Sequence, residues 1–434
     1  MRVTQGRHPG WWSLNGEHWL RVSIRVSLLI GLLFPVYVAT RQGIGAWHFR
    51  KRSPEAIQTA IRLDPRNPQY HDALANLMHS FADNENPDDL IQFYETATRL
   101  SPYDAQYWSD LGAAYDWAGR SNDALRAFRH AVALFPNSPD INWRVANFYI
   151  RARNLPDGLR ALRIVLLGKG VPRRDVFVLA TNATRDNKAI LDETLPPRAN
   201  VFIDYINFLV EAGRIDAAEQ TWARLLELNL PFGLPESFPY LDGLVQYHEV
   251  APLEQAWSSV AALFPAKIRL RGNTENLVTN GSFEFEILNG GLDWRVVPID
   301  GAAVSLDSEN AAEGVRSLRI DFDGTHNLEY WHVYQFVPVK ANTSYRFSAY
   351  MRVNGITTDS GPRFQVYDAY DAGRLLLSTE NEVGTSGWSA QHLEFKTGAD
   401  TRLLVVRLAR SLSHKFNNRL AGTVWIDRIS LEQQ

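Results

Sequence analysis

Apolar residues follow three different spacings along the chain. Residues 26–40 form an apolar run without a charged side chain. From residue 53 to residue 265, apolar positions recur at the three-to-four-residue spacing that is typical of amphipathic helices. Beyond residue 275 the spacing becomes two, as in half-buried β-strands. The pattern predicts an apolar N-terminal helix, a long helical segment and a C-terminal all-β domain.

The N-terminal run has the flanks of a membrane anchor. Arg21 and Arg25 precede it and Arg41 follows it. The run alone is shorter than the roughly 17–25 residues that a helix needs to cross a bilayer. Long basic side chains reach towards the interface, which extends the usable segment over residues 22–47. We therefore expect a transmembrane or signal-anchor helix there.

Two alternatives to an anchor remain open, a cleaved signal peptide and a buried helix of a soluble protein. Tyr37 interrupts the small-residue cleavage pattern that ends at Ala39, which favours an uncleaved segment. Basic residues are equally numerous on the two sides of the run, so charge alone does not set the orientation. We expect residues 1–21 on the cytoplasmic side.

A self-similarity with a period of 34 residues runs through the helical segment. Small residues at positions 112 and 124 allow two helices to approach closely, and Gly119 and Pro136 mark a turn and a helix end. The complete set that recurs is Trp108, Leu111, Gly112, Tyr115, Ala124, Phe128, Ala131 and Pro136. This set resembles the tetratricopeptide repeat family at all eight signature positions. The resemblance implies stacked helix–turn–helix repeats over residues 53–265.

The repeats predicted outside the central set are less regular. Residues 53–65 are interpreted as a lone second helix, and residues 201–228 as a later repeat. Residues 173–195 and 238–264 are predicted to be helical, although they fit the repeat pattern poorly. Degenerate units are therefore expected towards the end of the solenoid.

The resemblance also implies that the first helices of the repeats line a groove for a protein or peptide ligand. Trp117 and Trp143 are candidate anchors for that ligand, and the alternative is that both pack between helices. The groove positions carried over from the family are Asp72, His79, Asp83, Trp117, Trp143, Asn147 and Arg151.

Residues 266–275 break the helical pattern and are interpreted as a linker to a domain over residues 276–434. In that domain the apolar residues Leu404, Val406 and Leu408 occur at every second position, and several other runs show the same alternation of apolar positions. Clusters of Gly, Asn and Asp separate the runs. These features predict an antiparallel sandwich or jelly roll.

Five landmarks of this domain, in the same order, resemble the galactose-binding-like jelly rolls of carbohydrate-binding modules. They are residues 276–284 at the start, residues 314–320, Tyr334-Gln335 followed by Tyr345, Gly387-Trp388 ahead of Phe395, and residues 424–431 at the end. The resemblance implies glycan binding outside the cytoplasm, although many such domains are merely structural.

Calcium is a further implication of the resemblance, because related domains often tie their first and last strands together with a structural Ca²⁺. Glu284 and Asp427 occupy the matching positions, and backbone carbonyls would complete the oxygen shell. The alternative is that both are surface carboxylates paired with Arg428 or Lys396.

Flat aromatic side chains are the expected sugar contacts, because they stack on the apolar faces of pyranose rings. Strand alternation places Trp331 opposite to Tyr330 and Tyr334, so not all three are expected to face one cleft. For each candidate the alternative is burial in the core. The candidates are Trp294, Tyr330, Trp331, Tyr334, Tyr367 and Tyr370.

The composition of the chain excludes several classes of function. The chain has no Cys, which excludes disulfides, cysteine nucleophiles and Cys-ligated metals. Its net charge of −3 gives no sign of a nucleic-acid binder. Motifs for metalloproteases, serine hydrolases and nucleotide binding are absent from the sequence, and Asp368 with Asp371 is only a weak candidate for a glycosidase pair. We expect no enzymatic activity and no organic cofactor.

Taken together, these features predict a bacterial inner-membrane protein with one span and with its C-terminal domains in the periplasm. The repeats would bind a protein and the jelly roll a polysaccharide, in exopolysaccharide or surface-glycan assembly. Two alternatives are an assembly scaffold that binds no sugar and an accessory subunit of a glycoside hydrolase.

Overall fold

The computed structural model describes residues 13–81, 87–268 and 276–434. Internal contacts divide the chain into two units, Met1–Pro196 and Pro197–Gln434. The boundary falls within the segment predicted to be helical repeats. The last helices of that segment therefore group with the β domain.

The first unit begins with a long apolar helix, α1 (Ser13–Phe49). Over Trp19–Phe49 it is long and apolar enough to cross a membrane, by length and composition, and a signal sequence would have the same features. Its apolar side chains are exposed, with Trp19 and Leu32 each 71% accessible. The segment predicted to span the membrane, residues 22–47, lies within this helix.

In the described part of the first unit, helix α2 packs against the end of α1, and three helix hairpins follow. The hairpins are formed by α3 with α4, α5 with α6, and α7 with α8. The helices are α2 (Pro54–Leu63), α3 (Pro68–Phe81), α4 (Pro87–Leu100), α5 (Ala105–Trp117), α6 (Ser121–Leu134), α7 (Pro139–Arg151), α8 (Leu155–Leu167), α9 (Arg173–Ala183) and the short α10 (Asn187–Ala189), after which Ile190–Thr194 is π-helical.

The residues that define the repeat pattern account for the hairpin geometry. A Cβ on Gly112 would lie 2.8 Å from the Phe128 ring, so only glycine allows α5 and α6 to pack this closely. Gly119 has a φ of +73° in the turn between them, a conformation that glycine adopts without strain. Helix α6 ends at Leu134, just before Pro136. The predicted helix–turn–helix repeats are confirmed.

The second unit contains two further hairpins. The helices are α11 (Ala199–Glu211), α12 (Ile215–Glu227), α13 (Phe238–Gln246) and α14 (Val250–Leu263), with a 3₁₀ turn at Leu234–Ser237. Helices α11 and α13 also pack closely together, which the missing side chain of Gly243 allows. A Cβ at this position would lie only 2.4 Å from Val210. Both regions predicted to be helical but poorly matched to the repeat pattern, residues 173–195 and 238–264, contain helices.

The rest of the second unit is a β-sandwich. Its strands are β1 (Arg295–Val296), β2 (Ala302–Asp307), β3 (Ser317–Asp323), β4 (Tyr330–Pro338), β5 (Ser344–Ile356), β6 (Arg363–Asp368), β7 (Leu376–Ser378), β8 (Gly384–Lys396), β9 (Leu403–Arg410) and β10 (Ala421–Gln433). The first sheet has the order β2-β3-β10-β5-β8 and the second sheet the order β1-β4-β9-β6-β7. All pairs are antiparallel, and the strand order requires connections between the two sheets. The predicted all-β jelly roll is confirmed.

One continuous apolar core lies between the two sheets. Phe347 of the first sheet contacts Phe364 of the second, with ring centroids 5.3 Å apart. Leu404, Val406 and Leu408 alternate into this core, as their spacing predicts. The residues between them, such as Val405 and Arg407, consequently point to the opposite side of the second sheet. That side is called the outer face below.

Candidate functional site

The first unit has a groove of about 780 Å³ between its helix hairpins. The predicted groove residues that line it are His79, Trp117, Trp143, Asn147 and Arg151. Asp83 lies outside the described residues, and Asp72 is absent from this lining.

Two aromatic side chains give this groove an exposed apolar surface. Trp117 is 44% accessible, so it does not simply pack between helices, whereas Trp143 is half-buried. The ring of His79 meets the Trp117 ring edge-on, with centroids 5.1 Å apart. Asn147 donates to the Trp143 carbonyl at 2.8 Å, and Arg151 pairs with Asp116. Aromatic rings are therefore the groups that this groove offers to a ligand.

A buried polar cluster beside the groove was not predicted. Asp110 accepts hydrogen bonds from Gln106 and from the Arg144 guanidinium, and it lies close to Asp72. Burial, together with the repulsion from Asp110, raises the pKa of Asp72 to about 7. Asn76 joins this cluster by donating to Asp72 at 2.9 Å. Asn76, Asp110 and Arg144 are spaced by one repeat period, so the sequence signal for this cluster was present in the 34-residue register.

The second candidate site is the outer face of the second sheet. One cross-strand row on this face runs from Arg295 on β1 through Tyr334, Arg407 and Gln365 to Ser378 on β7. Trp331 lies on the same face, 44% accessible, and its ring stacks on His332 with centroids 4.4 Å apart. Burial lowers the pKa of His332, which favours its neutral ring.

The alternation predicted for Tyr330 and Tyr334 is wrong, because β4 contains a β-bulge. Tyr330 pairs with Arg410 and Val333 pairs with Leu408, so β4 advances three residues while β9 advances two. Tyr330 consequently points into the core, where it is 1% accessible, and Tyr334 points outward with Trp331. A sugar ring cannot reach Tyr330 in this structure.

The prediction that Trp294 contacts a sugar is also contradicted. Its side chain is fully buried against Phe283 in the core, and its indole N–H donates to the Asn280 carbonyl at 3.2 Å. Trp294 lies just before β1, where no alternation pattern indicated the side to which it would point. It is a core residue.

The two remaining tyrosine candidates are half-buried on or beside the outer face. Tyr367 lies under the Arg407 guanidinium, 4.7 Å from ring centroid to carbon. Tyr370 is stacked on His248, with ring centroids 3.7 Å apart. Burial, with Asp368 and Glu249 nearby, raises the pKa of Tyr370 to about 12. His248, in the turn between α13 and α14, therefore covers Tyr370.

Arg407, Arg363 and Gln365 were missed among the predicted site residues. Arg407 donates to the Gln365 amide oxygen at 2.9 Å, and Arg363 faces outward one row away. The signal for Arg407 was the inward row of Leu404, Val406 and Leu408, which assigns the intervening residues to the outer face.

The proposed calcium ligands hold a loop together instead. Glu284 accepts hydrogen bonds from the backbone N–H groups of Val315 and Arg316 at 2.8 and 3.1 Å. Asp427 accepts from the N–H groups of Ala312 and Glu313 at 2.7 and 2.9 Å.

The remaining contacts of the two carboxylates add to this picture. The second oxygen of Asp427 accepts from the Arg428 N–H, and the Arg316 guanidinium donates to the Glu284 carbonyl. Among the described residues no group of three or more His, Asp or Glu could hold a metal. The N–H donors and the Arg316 guanidinium account for both carboxylates without a metal, and calcium at Glu284 and Asp427 stays a prediction.

These features define the class of the protein by its fold: stacked helix–turn–helix repeats and a jelly roll of two antiparallel sheets, behind an apolar N-terminal helix. No protein-family model matches the chain. The chain is 25% identical over 87 residues to the formate-dependent nitrite reductase complex subunit NrfG of Escherichia coli O157:H7. That match covers 20% of this chain and 44% of the relative, so the chain spans less than half of the relative's length.

Two solved structures are similar to parts of the chain. MamA protein is 15% identical, with 45% of this chain and 98% of that chain covered and a TM-score of 0.31. The carbohydrate-binding module TmCBM61, solved with β-1,4-galactotriose, is 18% identical, with 37% of this chain and all of that chain covered and a TM-score of 0.28. The fold assignment rests on the helix hairpins and the strand order described above.

Proposed function

We propose that this chain is a membrane-anchored protein of the bacterial cell envelope that binds a glycan through its jelly roll and a protein through its helical repeats. The observation that carries the glycan part is the outer face of the second sheet. It presents Trp331 and Tyr334 beside Arg407 and Gln365. Flat rings next to hydrogen-bonding side chains are the groups that bind sugars.

The proposal includes no catalytic activity. Asp368, one member of the weak acid pair, is 1% accessible and accepts hydrogen bonds from the Thr401 hydroxyl and the Tyr370 N–H. A glycosidase requires two carboxyl groups that both face the substrate. The polar contacts of Asp368 support a structural role.

Affinity electrophoresis of the full chain in a non-ionic detergent tests the glycan part. Gels would contain soluble glucan, xylan or the exopolysaccharide of the expression host. Trp331→Ala is expected to weaken the retardation about tenfold, because one ring stacked on a pyranose contributes about 1–2 kcal/mol.

Tyr103→Ala is the matched control, because it removes another exposed aromatic ring, 86% accessible, from a different part of the chain. It is expected to leave the retardation unchanged. A wild-type chain that no glycan retards would contradict glycan binding. The favoured function would then be that of an assembly scaffold that binds no sugar. The stacking of His248 on Tyr370, which partly covers this tyrosine, also supports a scaffold.

The protein partner is proposed to bind the groove of the first unit. The support is the exposed Trp117 ring with His79 and Trp143 beside it. A photo-crosslinking residue at position 117, in cells, is expected to capture one discrete protein. The same residue at position 103 should capture none, and equal capture from both positions would contradict the assignment.

For the location we propose a single span in the inner membrane with the repeats and the jelly roll in the periplasm. The exposed apolar helix α1 supports the span, and the resemblance to extracellular glycan-binding jelly rolls supports the orientation. A role in exopolysaccharide or surface-glycan assembly would place the glycan and the protein partner in the same compartment.

A further inference from the structure

The outer face of the second sheet is divided into a covered half and an open half. Leu403 and Val405 on β9 point outward, yet they are 0% and 3% accessible. At the other end of the same face, Trp331 is 44% accessible. Ala409, which faces outward at the Trp331 end, is also only 5% accessible, so burial within the central strand β9 does not by itself locate a cover. The contacts of helix α13 locate it.

The cover is helix α13 with the turn that follows it. Asp242 of α13 pairs with Arg295 of β1, and the Arg295 guanidinium lies 5.4 Å from the centre of the Phe336 ring on the outer face. His248, in the turn after α13, stacks on Tyr370 just beyond the end of β6. A glycan chain lying along the face would meet this helix before it reached the far end.

The open half carries two arginines without acidic partners. In the described part of the chain, no carboxylate lies within ion-pair distance of Arg407 or Arg363. Four other arginines of the sandwich have such partners, namely Arg316 with Glu286, Arg319 with Asp321, Arg346 with Glu394 and Arg428 with Glu313. Arg352 and Arg410 instead donate to the neutral groups of Asn310 and of backbone carbonyls.

The surroundings of these two arginines point to a missing anion. The Nε of Arg363 is buried without a hydrogen-bond partner, and the partners of Arg407 are neutral, the amide of Gln365 and the side chain of Tyr367. A partly desolvated guanidinium is costly unless an anion accompanies it. Its planar fork fits a carboxylate through two parallel hydrogen bonds.

We propose, building on the glycan-binding function above, that the open half binds a short or chain-terminal acidic oligosaccharide. The carboxylate of a uronic acid is bound by Arg407 and Arg363, and a sugar ring stacks on Trp331. Because α13 closes the far end, the ligand is a terminus or a short oligomer and not an internal stretch of a long polymer.

The charge part is tested by calorimetric titration of the full chain in a non-ionic detergent. The probes are tetragalacturonic acid, a tetramer of mannuronic acid, and neutral galactotetraose. At least one uronate is expected to bind about tenfold or more tightly than galactotetraose. Arg363→Gln should weaken uronate binding by about 10- to 100-fold and leave galactotetraose binding unchanged, and Arg407→Gln should weaken uronate binding at least tenfold more than it weakens galactotetraose binding.

Arg346→Gln is the matched control, because it removes an exposed arginine of the first sheet. It is expected to leave all affinities unchanged, and circular dichroism should show the same fold in every variant. If a sulfated tetrasaccharide binds but neither uronate does, the carboxylate assignment is overturned.

The length part compares the tetramer of the preferred uronic acid with its octamer. The two are expected to bind with the same affinity per chain within about threefold, because the covered half is inaccessible. An octamer that binds more than about tenfold tighter would overturn the closed end.

The outcomes separate this inference from the proposed function. Equal binding of neutral and acidic tetramers, with Trp331→Ala weakening both, would overturn the acidic ligand and leave glycan binding intact. No binding of any probe would overturn both.

Discussion

The packing of helix α14 against the loop before β1 gives a sharp prediction about Gly291. This glycine has a φ of +58°, and a Cβ added to it would lie 2.3 Å from the Trp257 ring and 3.1 Å from Leu241. Gly355 has a similar φ of +68° but open space around its Cβ position. Gly291→Ala and Gly355→Ala therefore share the backbone cost and differ in the steric cost.

The expected magnitudes follow from these two terms. Placing alanine in the left-handed region costs about 1 kcal/mol, which is all that Gly355→Ala should lose. Moving the Trp257 ring to make room at residue 291 costs roughly a further 1–3 kcal/mol, the usual range for overpacking a tight core. At about 2–4 °C per kcal/mol, Gly291→Ala should lower the Tm by roughly 5–15 °C and Gly355→Ala by roughly 2–4 °C.

Thermal unfolding of the full chain measures the difference, and hydrogen exchange locates it. Exchange is expected to rise in α13 and α14 of Gly291→Ala but not in those helices of Gly355→Ala. Equal losses of stability in the two variants, or unchanged exchange in α14, would show that Trp257 does not pack on this loop. The packing of α14 would then give no support to the closed end of the outer face.

Three further predictions concern other parts of the chain. Burial and Asp110 raise the pKa of Asp72, so the native state keeps a proton that the unfolded chain loses near pH 4. The free energy of unfolding of the wild type should therefore fall as the pH rises from about 4 to about 8. Asp72→Asn should remove about 1–2 kcal/mol of that fall, measured by urea unfolding at pH 5 and pH 8, and parallel profiles would refute the assignment. EDTA should leave the Tm unchanged, whereas Asp427→Ala should destabilise by about 1–3 kcal/mol with or without EDTA, because two loop N–H groups lose their acceptor. A loss of Tm in EDTA that Asp427→Ala abolishes would instead support calcium at Glu284 and Asp427. The full chain, expressed in a bacterium, should resist carbonate extraction from the inner membrane, and a soluble product that starts near residue 46 would show a cleaved signal.

The repeats were predictable from sequence because their geometry depends on local contacts at fixed spacing. Gly112 lies 16 positions before Phe128 in the same hairpin, and both belong to the period of 34 residues. The same reasoning assigned Leu404, Val406 and Leu408 to the core. In both cases one regular period decides which face each side chain occupies.

The misassigned aromatic residues lie where that regularity is interrupted. The bulge between Tyr330 and Val333 depends on pairing with β9, a strand that follows some 70 residues later, so the local pattern of β4 cannot reveal it. Trp294 lies outside any alternating run. The cover over Tyr370 depends on His248, which the sequence pattern placed in a different domain.

The two proposed binding surfaces differ in the chemistry that they leave free. In the groove of the first unit, Arg144 and Arg151 are paired with Asp110 and Asp116, so these charges are already neutralised within the fold. The groups left for a protein partner are mainly aromatic rings, and burial of apolar surface is only weakly sensitive to salt.

On the outer face of the second sheet, by contrast, Arg363 and Arg407 keep their charge for a ligand. Salt screens the attraction between a partly exposed guanidinium and an anion once the Debye length falls below the distance between the two charges. In 1 M salt the Debye length is about 3 Å. Rising salt concentration should therefore weaken binding of the glycan before it weakens binding of the protein partner. The two ligands are bound by different forces, so each can be released without the other.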